Sequence, residues 1–285
     1  MKRSLFFMAG IVLSAFLVTC SDAAPEAVAA ELRTETVDAW NGYIAAREKQ
    51  IADELTSSKG FLAMDFQNPR EAAAERRAVL DGKISVKRMD PAAGKGDFQI
   101  SGGTIHHWRG AVFIPDVPYE FAMHRVRHPE LETEIQEDVL ESRVLQRMSH
   151  DVYRLFLKLK RTQIITVVYN TEHDVRFLKH GDDKYSSSSV AKKITEVERL
   201  DGGAEREKPV GDDRGFLWRM NSYWRYQNVP GGMLVECESI TLSRSIPFLL
   251  EGLARPIINN VAGESMERTL RELRERLVKA AKRPL

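Results

Sequence analysis

The chain has 285 residues, with 42 Lys and Arg against 41 Asp and Glu, and its formal net charge is +1. That length allows one domain with a sizeable core and some additions. Charges of both signs are interspersed, which argues against a nucleic-acid-binding surface, where basic residues gather on one face. Two cysteines exclude a disulfide framework, and nothing in the composition indicates a cofactor.

The first 23 residues have the features of a cleavable secretory signal. A basic start precedes an apolar run, Leu5–Val18, that is too short to span a membrane comfortably, and Ala23 suits the cleavage site. The sequence "LVTC", which ends at Cys20, also resembles a lipobox whose cysteine is acylated, although Thr19 stands where Gly, Ala or Ser is usual. Both alternatives predict export, to the periplasm or the exterior, as a free protein or as a lipoprotein anchored at Cys20.

Residues 24–81 are predicted to form a helical N-terminal extension. Trp40, Ile44 and Ile51 fall near helical spacing between charged residues, and a second short helix is predicted over Asn68–Leu80. The apolar stripe favours packing against the rest of the protein. The acidic residues between its members argue against a helix that lies on a membrane surface.

The middle of the chain is mostly strand-like. A strand from about Gly103 to Phe113 precedes a compact, helical or irregular segment at Pro118–Ile135. Six antiparallel strand candidates follow, joined by turn-rich links, and they span residues 138–148, 152–161, 164–178, 184–198, 216–227 and 233–243. In "VYRLFLKLKR" and "FLWRMNSYWRYQ" apolar residues alternate with charged or polar ones, which predicts a sheet covered on one face only.

The last predicted strand has an unusual face of small side chains and leads directly into a helix. Pro247 suits the first turn of that helix, and Pro256 and Gly263 predict a kink or a break within it. Small side chains on a strand allow a helix or a ligand to approach closely. The small face consists of Val235, Cys237, Ser239 and Thr241.

An early strand, a helical insertion, six antiparallel strands and a long C-terminal helix predict an α+β helix-grip fold. The sequence resembles the START-like superfamily, also called SRPBCC, which includes polyketide cyclases and lipid-transport proteins. The resemblance is carried by "GGTIHHWRGAVFIP", "FLWRMNSYWRY" and "VECESITLSRSIPFLLEGLARPIINNVAGESMERTLRELR", and it covers roughly Gly82 to Leu277. Residues 82–285 are therefore predicted as the START-like domain, with residues 24–81 outside it.

The resemblance implies a curved sheet around the C-terminal helix, with a cavity between them. Members of the superfamily hold hydrophobic ligands there, so the fold implies a pocket more securely than a reaction. We expect the partner to be a hydrophobic or amphipathic small molecule, such as a lipid, with a few polar groups that orient it. The candidate ligand-binding residues are Tyr169, His173, Trp218, Met220, Ser222, Trp224, Tyr226, Cys237, Ser239 and Thr241.

No metal ion, cofactor or nucleic acid is expected. His124 and His128 have the spacing of a zinc pair on a helix, but Pro129 follows and no further ligand is visible. Membrane contact stays open, through the surface of the N-terminal helix or through a lipid anchor at Cys20. Cys237 is expected to be a buried, unreactive thiol.

Two other functions stay open beside a non-enzymatic binding protein. A cyclase or hydrolase would use His173 or a pocket carboxylate as general acid or base. An envelope assembly protein would use the N-terminal helix as its contact. Glu236 and Glu238, which share the other face of their strand, are expected on a solvated or salt-bridged surface, with Arg219 and Arg225 as partners.

Overall fold

A computed structural model of the chain describes residues 32–89, 98–131, 138–162, 166–200, 202–209, 212–245 and 248–282. In the last helix the side chains are described from Gly263 onwards. The predicted signal segment, residues 1–23 with Cys20, lies outside the described residues.

The described chain contains four α-helices and ten strands. The helices are α1 (Thr34–Thr56), α2 (Pro69–Leu80), α3 (Tyr119–Arg127) and α4 (Phe248–Ala281), with 3₁₀ turns at Ala63–Phe66 and Pro129–Leu131. The strands are β1 (Ser85–Arg88), β2 (Phe98–Ile100), β3 (Gly103–Pro115), β4 (Val139–Ser149), β5 (Val152–Thr162), β6 (Thr166–Lys179), β7 (Lys184–Arg199), β8 (Glu205–Glu207), β9 (Arg219–Val229) and β10 (Gly232–Arg244). The long strands agree closely with the predicted ones, because their side chains alternate between two faces.

The strands form one antiparallel sheet in the order β1-β3-β10-β9-β7-β6-β5-β4, with β2 on β3 and β8 on β7. The first long strand and the last one are neighbours along their whole length, from Gly232 opposite Pro115 to Arg244 opposite Gly103. The C-terminal strand is therefore central, and the helix that follows it returns across the sheet.

The face of the sheet that packs against α4 is called the inner face below. Gly110 of β3 lies opposite Cys237 of β10, and both face Met266 and Leu270 of α4. A Cβ atom on Gly110 would lie 2.5 Å from Leu270 Cδ1 and 2.7 Å from Met266 Cγ. Small residues at this point thus let α4 approach the strands. The predicted helix-grip fold is confirmed.

Replacing Gly110 by valine should lower the free energy of unfolding by about 1–3 kcal/mol, because added carbon atoms overlap α4 in a packed core. Urea denaturation at constant pH measures this change. Gly42→Ala is a matched control, since a Cβ atom there has nothing within 4 Å. Within an exposed helix this change should raise stability by about 0.5–1 kcal/mol. Equal stabilities of Gly110→Val and the unmodified chain would contradict the close helix contact.

The opposite face, called the outer face below, is covered over β3, β10 and β9 by the N-terminal helices. Trp40 and Ile44 of α1 are buried in an apolar cluster with Ile240. Val79 of α2 belongs to a second cluster with Leu234. The expectation that only one face is covered is therefore wrong for these strands, whereas the predicted packing of the N-terminal helix on the rest of the protein is confirmed.

Helix α4 is continuous from Phe248 to Ala281, so of the predicted kink or break at Pro256 or Gly263 the break does not occur, and a kink stays a prediction. Gly263 instead allows a close contact between α4 and β3, because a Cβ atom there would lie 3.1 Å from Cζ3 of Trp108. Within the described residues, no helix combines the length and the apolar character that a membrane span requires.

Candidate functional site

Three serines form a row across neighbouring strands on the inner face. Ser239 of β10 pairs with Ser222 of β9, which pairs with Ser189 of β7. The row continues to Trp108 on β3 and to Val175 on β6. A hydroxymethyl side chain occupies much less space than the Leu or Phe of an ordinary core. The sheet surface is therefore recessed and hydroxyl-bearing between two larger apolar side chains.

The predicted residues Trp224, Tyr226 and Cys237 lie on the inner face beside this row. Tyr226 and Cys237 are buried in the main core cluster, and the half-buried Trp224 packs against that cluster. The rings of Trp224 and Tyr226 are stacked with centroids 6.3 Å apart, and Tyr226 stacks on Phe177 of β6 at 6.2 Å. Tyr226 and Cys237 are thus core residues, whereas part of Trp224 stays accessible.

Thr241 and Met220 are paired with each other one step further along β10 and β9. Both are half-buried on the inner face. Met220 packs against a small apolar cluster formed by Leu159, Val167 and Tyr169. The inner face therefore carries two apolar clusters, with the hydroxyl-bearing positions between them.

His173 lies on the inner face and is only 1% exposed. The Thr171 hydroxyl donates to the Leu157 carbonyl at 2.9 Å, so its oxygen accepts from His173 Nε2 at 2.9 Å. His173 Nδ1 then accepts from the Ser189 hydroxyl at 3.2 Å. Burial lowers the pKa of His173 to about 4. The imidazole is neutral with both ring nitrogens engaged, which is the arrangement of a core histidine and not of a free general base.

The low pKa of His173 predicts a specific pH dependence of stability. The unfolded chain takes up the proton near pH 6.5 and the folded chain near pH 4, so stability is complete above pH 6.5 and falls as the pH drops towards 4. His173→Gln should reduce this fall by up to about 3 kcal/mol. Urea denaturation at pH 7 and pH 4.5 measures it, with the exposed His150→Gln as control. An equal fall in the free energy of unfolding between pH 7 and pH 4.5 in the unmodified chain and in both variants would contradict a neutral buried His173.

Two buried hydrogen-bond donors on the inner face have no partner among the described residues. They are Nε1 of Trp108, at one end of the serine row, and the hydroxyl of Tyr169. Tyr169 is 2% exposed, and burial raises the pKa of its hydroxyl, so it stays protonated and available to donate. A buried donor without an acceptor costs about 1–3 kcal/mol. An acceptor supplied by a ligand would remove this cost at either position.

Trp218 is predicted as a ligand-binding residue together with Met220. It does not share the inner face with Met220, so that placement is wrong. Strand β9 begins at Arg219, so the alternation of the strand does not extend back to Trp218. Its ring joins the apolar cluster under α1 on the outer face, and its Nε1 donates to Asp213 at 3.0 Å. Trp218 therefore supports the packing of the N-terminal helix.

A buried charge network on the outer face surrounds Glu238. Arg47 of α1 donates from Nε at 2.7 Å and from Nη2 to the two Glu238 oxygens, while its Nη1 reaches Glu54 at 3.0 Å. Arg225 bonds to Glu54 and lies 3.6 Å from Glu238. His107 Nε2 is 3.0 Å from Glu238. Burial alone would raise the pKa of Glu238, but the bonds from His107 and Arg47 hold it well below its usual value.

Glu236 binds the 3₁₀ turn Ala63–Phe66 through its carboxylate. The two oxygens accept the backbone N–H groups of Ala63 at 2.5 Å and Met64 at 3.0 Å. Arg109 Nη1 is 3.7 Å away and the Arg109 side chain is also paired with Glu75 of α2. Burial raises the pKa of Glu236 to about 7, against the opposing effect of the nearby arginines. This carboxylate therefore ties the connection between α1 and α2 to the sheet.

Glu236 and Glu238 are thus ion-paired, as expected, but they do not lie on a solvated surface. Both are buried, because α1 and α2 bring partner charges that the pattern of the strand does not reveal. Arg225 is a partner as expected. Arg219 is not one among the described contacts, since its guanidinium donates to the carbonyl of Trp218.

A third histidine joins the pair that the sequence singled out. The rings of His124 and His128 have centroids 4.6 Å apart, and His150 from the turn between β4 and β5 lies 5.5 Å from His128. His128 Nδ1 is bonded to Glu130 at 3.0 Å, and the ring of His150 contacts Arg127. Within the described part of the chain, no group of three or more His, Cys, Asp or Glu side chains is arranged to hold a metal ion.

No family model matches the sequence. Among curated proteins, nucleolin of Gallus gallus is 41% identical over 69 residues, which are 23% of this chain and 10% of nucleolin. The matched segment thus spans a tenth of the length of that relative.

Several solved structures have a distant likeness to the chain. The protein TTHA0849 from Thermus thermophilus has a TM-score of 0.43 and 16% identity, covering 61% of this chain and 98% of its own. Human STARD10 has a TM-score of 0.43 and 11% identity, covering 79% and 84%. A STAR-related lipid transfer protein from Xanthomonas axonopodis has a TM-score of 0.43 and 15% identity, covering 67% and 98%. The helix-grip assignment rests on the strand order and on the packing of α4.

Proposed function

We propose that the chain is a binding protein for a hydrophobic or amphipathic small molecule of the lipid class, held between the inner face and α4. The observation that carries the proposal is the pair of buried, unpartnered donors, Trp108 Nε1 and the Tyr169 hydroxyl. The side chains around them are mostly apolar or hydroxyl-bearing, and the buried carboxylate of Glu196, opposite Tyr169, is paired with Lys208 and Arg214. The resemblance of the sequence to the START-like superfamily supports the same position for a ligand.

The chemistry of this face favours a mostly apolar ligand with neutral acceptor oxygens. Apolar clusters lie on both sides of the serine row, and their burial against a ligand would supply the driving force. The unpartnered groups are donors, so a carbonyl, ester or hydroxyl oxygen is their complement. The side-chain hydroxyls of Ser222 and Ser239 make no hydrogen bond among the described residues, and they supply adaptable polar contacts between the clusters.

Filling the serine row tests the proposal. Ser222→Leu should weaken the binding of a dansyl-labelled fatty acid to the delipidated protein by at least about tenfold, because an isobutyl group occupies the recess. Ser188→Leu on the neighbouring strand is the matched control, since Ser188 pairs with Tyr223 and lies on the outer face. The proposal fails if the unmodified protein does not bind the probe, or if both leucine variants bind it equally well.

We also propose that the mature protein is exported, by removal of residues 1–23 or by acylation at Cys20. The basic start, the apolar run and the small residues at the cleavage site support this proposal. The intact mass of the protein purified from its native host distinguishes the two routes. A chain that starts near Ala24 indicates a free protein, and a diacylated Cys20 indicates a lipoprotein. An uncleaved chain that retains Met1 would contradict export by either route.

A further inference from the structure

A cavity lies on the other side of the sheet from α4. It is open to solvent and is lined by the connection between α1 and α2, by α2 itself, and by strands β7 and β9. Its volume is about 510 Å³, which is within the range of small-molecule sites. Its lining includes Lys59, Phe61, Asp65, Ala72, Arg76 and Lys184.

Positive charge exceeds negative charge in this cavity. Lys59, Arg76 and Lys184 line it, against the single carboxylate of Asp65. The carboxylate of Asp65 already has hydrogen-bond partners for both of its oxygens. Its Oδ2 accepts the backbone N–H groups of Phe61 and of the next residue, each at 3.0 Å, and its Oδ1 accepts from Arg76 at 2.8 Å. The Asp65 carboxylate therefore stabilises the wall of the cavity.

The cationic groups keep donors that nothing in the described chain uses. Arg76 bonds through Nη2 only, to Asp65 and to Gln227 at 3.3 Å, which leaves Nε and Nη1 without partners among the described residues. Lys184 Nζ is 3.8 Å from Asp183, beyond hydrogen-bond distance, and lies 5.8 Å from the centre of the Phe61 ring. Lys59 forms no ion pair with a described residue.

We propose that this cavity binds a small molecule bearing a phosphate or carboxylate group. Arg76, Lys59 and Lys184 line one cavity and keep unused donors, and an anionic group would supply acceptors and the opposite charge together. Ala72 and Ala73 form an apolar side of the cavity, against which the remainder of such a ligand packs. This site does not depend on the ligand of the inner face, from which the sheet separates it.

Isothermal titration of the full mature chain with inorganic phosphate, and separately with citrate, tests the proposal. Saturable binding of either anion is expected, and the stronger one identifies the preferred group. The double variant Lys59→Ala/Lys184→Ala should weaken it by at least about tenfold, whereas Lys184→Arg should preserve it. The matched control is Lys179→Ala/Lys193→Ala, which removes two exposed lysines that are paired with Asp182 and Glu207.

The site is overturned if neither anion binds saturably, or if the control variant loses as much affinity as the cavity variant. The first result would mean that the cavity holds no anion site, and the second that the anions respond to overall charge only. The cavity variant should still bind the dansyl-labelled fatty acid on the inner face. A failure of the anion site is thereby distinguished from a failure of the proposed lipid-binding function.

Discussion

Glu238→Ala should lower the free energy of unfolding by about 3–5 kcal/mol, because it leaves Arg47 and Arg225 buried with one carboxylate between them. Glu238 is 2% exposed and receives two bonds from Arg47 and one from His107. Since the pKa of Glu238 is held below its usual value, its stabilisation is present above about pH 4.5 and is lost as the pH falls below that. Urea denaturation at pH 7 and at acidic pH measures both effects.

Glu141→Ala is the matched control for this network. Glu141 also pairs with an arginine, Arg143, at 2.7 Å, but its side chain is 47% exposed. An exposed pair of this kind contributes less than about 1 kcal/mol. Comparable losses in the Glu238 and Glu141 variants would show that the outer-face charges are solvated, as the strand pattern alone suggested, and would contradict the buried network.

Trp40→Ala should lower the free energy of unfolding by about 3–5 kcal/mol, because it opens a large cavity between α1 and the sheet. Trp40 is 4% exposed and belongs to the cluster that includes Ile240 and Leu242. The cost has the size expected in a domain core. The N-terminal helices are therefore expected to unfold together with the sheet, in one transition measured by both fluorescence and circular dichroism.

Asn41→Ala, one position along α1, is the control, because Asn41 is exposed. It should change stability by no more than about 0.5 kcal/mol. If Trp40→Ala is too unstable to purify, Trp40→Phe should give an intermediate loss. A Trp40 variant as stable as the control would contradict the packing of α1 on the sheet and would favour a separate N-terminal extension.

The strands and the packing of α4 on the inner face could be predicted from the sequence because their signals are local. Alternation along β9 and β10 identified the strands, and Pro247 marked the start of the region that becomes α4. The small residues around Cys237 indicated close approach of a helix, which Gly110 on the neighbouring strand completes. Each of these signals depends on neighbours within a few positions of the chain.

The contacts of the N-terminal helices on the outer face could not be predicted in the same way, because the residues in contact there are distant in sequence. Arg47 and Glu238 are 191 positions apart, and each alone resembles an ordinary surface charge. Only the fold shows that opposite charges from α1 and β10 meet and become buried together. The cavity beside Lys59 and Lys184 was missed for the same reason, since its residues come from four separate segments. Trp218 was misplaced because a pattern of period two does not reveal where a strand begins.

Native mass spectrometry of the protein purified from its native host tests the central claim most directly. The account predicts a complex heavier than the chain alone by the mass of one lipid-sized molecule, and Ser222→Leu should reduce or abolish this species while Ser188→Leu retains it. Recovery of the bare chain only, together with no binding of the dansyl-labelled fatty acid, would contradict a ligand-binding inner face.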